Sequence, residues 1–339
     1  MSRFKTVLKA PVWHALSALG PRHWPLPRQR LLILTYHRVL PVTDPRYLLE
    51  QPGMVVTPES FENHIDWLRE DGFEFVHLSS WSAGRFAGRS GKYCAITFDD
   101  GWLDNYQYAF PVLQKLGVPF HIYVVLNQLG GAGDYWPGRL VRVLSACIEQ
   151  CRVPGEPADS DWFVRLLPDG KLPDRCTVEV VDHVVVACKQ HPESFIYERL
   201  AQLEQLVDLS KHPQVRALLN VQEINAMLVS GLLEVGCHTT DHTRLIEGLP
   251  AATLEREIIA SRGGLEQEFA RPITSFCYPN GDYSADALAL VRRTYDNAVT
   301  TVAGWNFNRA DCHLLRRISM HEDATNTRLK FWAKMSGCL

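Results

Sequence analysis

Several things are missing from this chain of 339 residues. It has no uninterrupted apolar run of about 18 residues, which argues against an ordinary membrane-spanning helix. It has little excess charge: 35 Lys and Arg stand against 38 Asp and Glu, a net of −3. Nothing electrostatic therefore points to nucleic acid as a partner. The nine cysteines are odd in number and show no framework spacing. Cys147 and Cys151 are one helical turn apart, and no second Cys or His pair answers them at zinc spacing. A thiol set of this kind fits a reducing compartment, the cytoplasm. There is no G-x-S-x-G elbow, no G-x-G-x-x-G and no Walker-type loop, and no internal repeat or low-complexity tract. What remains is ordinary globular composition, 46% hydrophobic and 22% charged. The length suits one large domain or two modest ones.

At the N-terminus, Lys5 and Lys9 precede a mixed apolar stretch broken by Pro11 and His14. Residues 1–30 read as a basic amphipathic leader suited to a membrane surface, not as a signal peptide. Beyond it, strand and helix patterns alternate. Strands are expected at 31–37, 73–78, 92–98, 118–126, 232–237, 273–277, 298–302 and 314–320. Helices are expected after Thr57-Pro58, where Thr is a cap and Pro a first residue, and at 105–116, 223–228, 254–269 and 285–293. The pattern lapses over 138–221. There Leu200, Leu203, Leu206 and Val207 mark one amphipathic helix between Pro- and acid-rich linkers at 154–161 and 167–174, which reads as a largely helical insertion. The rest, 31–137 and 222–339, forms two parts of one α/β unit with a mainly parallel sheet, open or closed into a barrel. In a barrel, reactive residues collect at the C-terminal strand ends.

Three stretches lie at such ends. Thr97-Phe98-Asp99-Asp100-Gly101 places two adjacent carboxylates after a buried strand. Their repulsion favours a cation or a retained proton, so one can hold a metal while the other acts as a base. His238-Thr239-Thr240-Asp241-His242 follows the next strand but one, and histidines four apart can face one ion. Asp100 with His238 and His242 makes a two-His, one-carboxylate set with open positions, suited to hydrolysis. Phe276-Cys277-Tyr278-Pro279-Asn280-Gly281 is a turn able to offer backbone N–H groups to an oxyanion. His37 and His321 also follow strands. Trp102, Tyr135, Trp136 and Trp305 fall in expected loops, where they could stack on sugar rings.

In this order, the three stretches resemble the polysaccharide deacetylase family (NodB homology, carbohydrate esterase family 4). The similarity is clearest over 93–126 and 223–320, and Tyr36-His37-Arg38-Val39 extends it towards the N-terminus. The resemblance implies a distorted (β/α) barrel, usually seven-stranded, and metal-dependent removal of N- or O-acetyl groups from carbohydrates. By position, Asp99 would be the general base, and Asp100, His238 and His242 the ligands of one divalent ion, zinc fitting best. Tyr278, Pro279, Asn280 and Gly281 would face substrate, the Asn280 N–H holding the acetyl oxygen. Two departures stand out. Cys277 replaces the arginine with which many members orient the base, so the base is oriented otherwise here, with Arg316 and Arg317 as candidates. The late histidine motif is imperfect, so His321 and His37 compete as the general acid. The expected activity is de-N-acetylation of a sugar, polysaccharide or glycan precursor at the cytoplasmic membrane surface. The alternatives are an amidase acting on a non-sugar C–N bond and a non-catalytic carbohydrate-binding protein.

Overall fold

The computed structural model describes Ala15 and residues 29–131, 134–153, 157–307 and 310–336. The leader expected at 1–30 lies almost wholly outside them. The chain divides into two compact units: 1–40, 53–130 and 218–339 form one, and 41–52 with 131–217 the other. The insertion expected at 138–221 compares with 131–217, and the short segment 41–52 joins it.

The first unit is built on seven barrel strands: β1 (Gln29–Tyr36), β2 (Gly91–Phe98), β3 (Phe120–Val124), β4 (Leu233–Cys237), β5 (Ser275–Cys277), β6 (Asn297–Val299) and β7 (Ile318–Ser319). Strands β1 to β6 pair in parallel in chain order. β7 returns parallel to the free side of β1, Leu34 opposite Ile318. A parallel bridge from Val299 to Leu315 joins β6 to the segment leading into β7. Two short strands mark the distortion: Phe73–Phe75 lies against the start of β2, and Asn306–Phe307 runs antiparallel to the start of β1. Of the expected strand at 314–320, only Ile318–Ser319 is a strand. The expected strand at 73–78 stops at Phe75, and a short helix, Leu78–Ser82, follows.

Strand alternation sorts the side chains. Leu32, Leu34, Cys94, Ile96 and Phe98 face outward into the main core beneath the helices. Leu31, Ile33, Tyr93, Ala95, Tyr123, Cys277, Val299 and Leu315 pack together on the inside. Continuing each inward row towards the C-terminal end gives Thr35, Thr97, Asp99 and Arg317. The interior therefore grades from apolar to polar towards that end. Gly236 makes room for this filling, because a Cβ there would sit 2.3 Å from the Tyr123 ring.

The second unit has its own core. Four helices build it: Trp136–Glu149, Pro157–Leu166, Val178–Cys188 and Glu193–Leu206. The last contains the expected amphipathic face. No helix among the described residues is long and apolar enough to cross a membrane, and the eight described cysteines are unpaired.

Two buried histidines are held neutral. His64 accepts from Tyr36 Oη and donates to the Thr325 carbonyl. His121 Nε2 accepts the Leu78 N–H, capping the helix Leu78–Ser82. Burial lowers both pKa values from 6.5 to about 4, against the upward pull of the Thr325 bond and of Glu234 respectively. Below pH 6.5 the unfolded chain binds protons that the folded chain refuses, so stability falls as pH drops towards 4. The loss should approach about 3 kcal/mol per histidine. Urea unfolding at pH 7 and near pH 4 measures it, and equal stabilities would contradict neutral buried rings.

Candidate active site

All the expected chemistry lies at one end of the parallel barrel. β2 ends at Phe98, yet the Asp99 N–H still donates to the Tyr36 carbonyl at 3.0 Å, which keeps Asp99 in the inward row. Asp100 and Gly101 then turn the chain with φ of 72° and 73°, a conformation that Asp and Gly tolerate best. The two adjacent carboxylates are thereby separated in role: Asp99 meets Arg317, and Asp100 meets the histidines.

β4 ends at Cys237, and the His238 N–H bonds to the Val124 carbonyl at 2.9 Å. His238 Nε2 lies 3.4 Å from Asp100 Oδ1, and His242 Nε2 lies 3.5 Å from the same oxygen. The Trp102 indole donates to Asp100 Oδ2 at 3.1 Å. The ligand atoms of Asp100, His238 and His242 all fall within 4.8 Å of one another. His238 Nδ1 is 2.8 Å from the Cys277 carbonyl. A carbonyl only accepts, so Nδ1 carries a proton, and Nε2 is the ring nitrogen turned to the Asp100 side. A cation placed between His238 Nε2 and Asp100 Oδ1 would be bound by both. The donor set fits a divalent ion, and the Cys277 contact orients one ligand as outer partners of metal sites do.

Two other clusters bring ligand-type atoms together. In His77, His121 and Glu234, His121 Nε2 already accepts the Leu78 N–H. Its Nδ1 must then carry a proton, so that atom is no ligand. In Asp99, His238 and Cys277, both Asp99 oxygens are taken by Arg317.

That pairing is bidentate, Nη1 to Oδ1 and Nη2 to Oδ2, each at 2.7 Å. Arg317 also donates to Thr35 Oγ1, Thr97 Oγ1, the Thr300 carbonyl and Cys277 Sγ. It is 1% exposed. Its neighbour Arg316 is exposed and reaches the Ala303 carbonyl instead. Of the two arginines expected to orient the base, the structure brings Arg317 to it. Burial raises the Asp99 pKa, but Arg317, with His238 and His37 adding, outweighs it and holds the carboxyl below its usual value. For Asp100, burial is likewise outweighed, by the His238 hydrogen bond and by His37 and His242, and the carboxyl is held well below the usual range.

His37 follows β1. Its carbonyl accepts from Asn105 Nδ2 at 2.8 Å, and its charge acts on both Asp99 and Asp100. Its Nδ1 is buried without a hydrogen-bond partner. His321 follows β7, caps the short helix Glu322–Thr325 and sits 3.2 Å from Asp323 Oδ1. In the turn Pro279–Gly281, the Gly281 and Asp282 N–H groups are committed to the Tyr278 and Pro279 carbonyls. Tyr278 and Pro279 are buried, and Tyr278 Oη donates to the His313 carbonyl. Their side chains shape the turn, while Asn280, at φ 54°, is exposed.

The four aromatics expected to face sugar do not. Trp102, Tyr135, Trp136 and Trp305 are each 6% exposed. Trp305 bonds the Met335 carbonyl, Trp136 belongs to the helical core, and Trp102 lies under the Arg38 guanidinium at 4.2 Å. Arg38 is in turn fixed by Asp104, which also accepts the Val39 N–H. The sequence marks Arg38 only as part of Tyr36-His37-Arg38-Val39 and does not mark Asp104, because a single charged residue carries no spacing signal.

Residues 87–146 and 195–296 match the profile of the polysaccharide deacetylase family. Over these two segments the chain is similar to that family. Two curated relatives are each 33% identical to it over the matched stretch. One is Bacillus subtilis YxkH, named for polysaccharide deacetylation, matched over 103 residues, 30% of this chain and 34% of that protein. The other is the poly-beta-1,6-N-acetyl-D-glucosamine N-deacetylase of Staphylococcus epidermidis, matched over 107 residues, 29% and 37%. The chain thus aligns with little more than a third of either relative. Among solved structures, IcaB from Ammonifex degensii shares the fold at 22% identity and a TM-score of 0.56, over 91% of this chain and 98% of that one. So does the polysaccharide deacetylase BC0361 of Bacillus cereus, at 17% and 0.57, over 91% and 69%.

Arg317→Met should cost about 3–5 kcal/mol, because it strands a buried carboxylate. Arg316→Ala should stay within about 0.5 kcal/mol of the parent. Urea unfolding of the two variants side by side checks the contrast.

Proposed function

We propose that this protein is a metal-dependent hydrolase that removes N-acetyl groups from a carbohydrate, polysaccharide or glycan precursor. The observation that carries the reading is the convergence of the Asp100, His238 and His242 ligand atoms within 4.8 Å of one another, beside a second carboxylate held ionised by Arg317. Asp100, His238 and His242 would hold one divalent ion, and two neutral imidazoles with one carboxylate suit zinc. When bound, such an ion supplies Lewis acidity towards water and an amide carbonyl.

The chain's own groups do the rest. Asp99 takes the proton of the attacking water, and Arg317 keeps its carboxylate ionised and aimed for that task. His37, which acts on both carboxylates, gives a proton to the leaving nitrogen as the C–N bond breaks. The exposed Asn280 turn offers its backbone N–H to the acyl oxygen. The products are acetate and a free amine. The two named relatives support an acetylated sugar as substrate, and the eight unpaired thiols support work in a reducing compartment.

Metal analysis by mass spectrometry should find one divalent ion per chain, lost in His238→Ala. Asp99→Asn should keep the ion and lose about 10²–10⁴ in kcat for acetate release from N-acetylhexosamine oligomers. Turnover at the parent rate in Asp99→Asn would remove it as the base. A second comparison separates the two candidate acids. His37→Ala should lose most of its rate on an acetamide but far less on an activated acetyl ester, whose leaving group needs no proton. His321→Ala should change neither rate, and the reverse pattern would make His321 the acid.

A further inference from the structure

The loop that carries the two histidines is held in an unfavourable shape. Thr239 and His242 have φ of 69° and 61°, the left-handed region, which a β-branched residue such as Thr rarely enters. Something outside the loop must fix it. The neighbouring helix runs through Ala251–Glu255 and Ser261–Phe269, and between them Arg256–Ala260 forms a π turn, in which the Ser261 N–H reaches back to the Arg256 carbonyl. Such single wide turns are uncommon and cluster at functional sites.

Glu257, in this turn, is fully buried. A buried carboxylate is costly unless its oxygens are satisfied. Its Oε2 accepts two backbone N–H groups of the histidine loop, those of Thr240 and Asp241, both at 3.0 Å. Its Oε1 accepts Arg256 Nη2 at 2.6 Å. The Arg256 carbonyl takes a second donor beside Ser261, the Thr240 hydroxyl at 2.7 Å. Arg256 Nη1 also reaches Asp241 Oδ2 at 2.5 Å. From the other side, the N–H groups of Leu126 and Asn127 bind the Thr239 and Thr240 carbonyls. The three residues between His238 and His242 are thus pinned from both sides, and Glu257 is the group that satisfies two of their N–H donors with one oxygen.

We infer that Glu257 is a positioning residue for the metal-ligand loop, with the π turn as its mount. The inference rests on the metal reading above. By fixing Thr240 and Asp241, Glu257 holds His238 and His242 at ligand spacing before an ion arrives, so binding need not order the loop. Partners of this outer kind typically change metal affinity by about 10–100-fold.

The test is a chelator-competition titration of zinc on the full chain, with the thermal unfolding of each ion-free variant recorded alongside. Glu257→Ala should weaken zinc by about 10–100-fold. Glu257→Gln, which keeps an oxygen able to accept both N–H groups, should stay near the parent. Thr240→Val, a nearly isosteric change, removes the hydroxyl held by the Arg256 carbonyl and should weaken zinc by about tenfold, at the lower end of that range. It keeps the test decisive should Glu257→Ala fail to fold. Parent-like zinc affinity in Glu257→Ala or Thr240→Val, even with a lower unfolding temperature, would reduce the contact to a structural brace and overturn the proposal. Equal weakening in the Gln and Ala variants would overturn it too, because charge and not N–H acceptance would then be responsible. A parent chain that takes up no zinc would defeat the metal reading itself, and this inference with it.

Discussion

One guanidinium holds the working end of the barrel together. Arg317 immediately precedes the last strand, β7, and its five N–H donors reach groups on β1, β2 and β5 and the carbonyl just after β6. A charge this deeply buried is tolerable only because each donor meets an acceptor and the opposite charge sits bidentate on it. The pair therefore closes the barrel near its shortest strand and sets the state of Asp99 at once. An ionised carboxylate in a desolvated pocket would otherwise be driven towards protonation.

The position of that pair follows from strand parity. Side chains at alternate positions point inward, and the inward rows change from Leu31 and Ile33 to Thr35, and from Tyr93 and Ala95 to Thr97 and Asp99. The apolar rungs fill the barrel, and the polar rungs meet at the rim with the loops that carry Asp100, His238 and His242. Gly236 lies among these rungs, leaving the space that the Tyr123 ring occupies. The hydroxyl of that ring then reaches Ser275 on β5 at 2.7 Å. Filling and chemistry are parts of one stack.

Much of this was legible in the sequence, because long buried strands and their polar ends are local patterns. The runs ending at Tyr36, Phe98, Val124 and Cys237 announced themselves, and so did the carboxylate pair and the two histidines. Other features depend on partners distant in sequence. β7 is only Ile318–Ser319, too short to show a period, so adjacent Arg316 and Arg317 could not be told apart until the barrel closed. Trp102 looked like a loop aromatic, but its burial is fixed by Arg38, 64 positions earlier. The helix Trp136–Glu149 has a clear apolar face, yet its core partners lie on other helices of its unit. Glu257 sat inside an ordinary amphipathic pattern. Only the π turn and the loop folded against it distinguish it from a surface glutamate.

The barrel is stitched shut where the helical unit leaves it. The Gly130 N–H bonds to the Leu219 carbonyl, the Leu219 N–H bonds to the Gly101 carbonyl, and Trp102 bridges Leu218. Exit and re-entry points of the chain are thus fastened to each other and to the turn after the carboxylate pair. With both ends held by such a clasp, the length of the segment between them puts little strain on the strands on either side. The family match already skips 147–194 within it. The strands before and after the insertion are therefore tied by bonds that do not run through it.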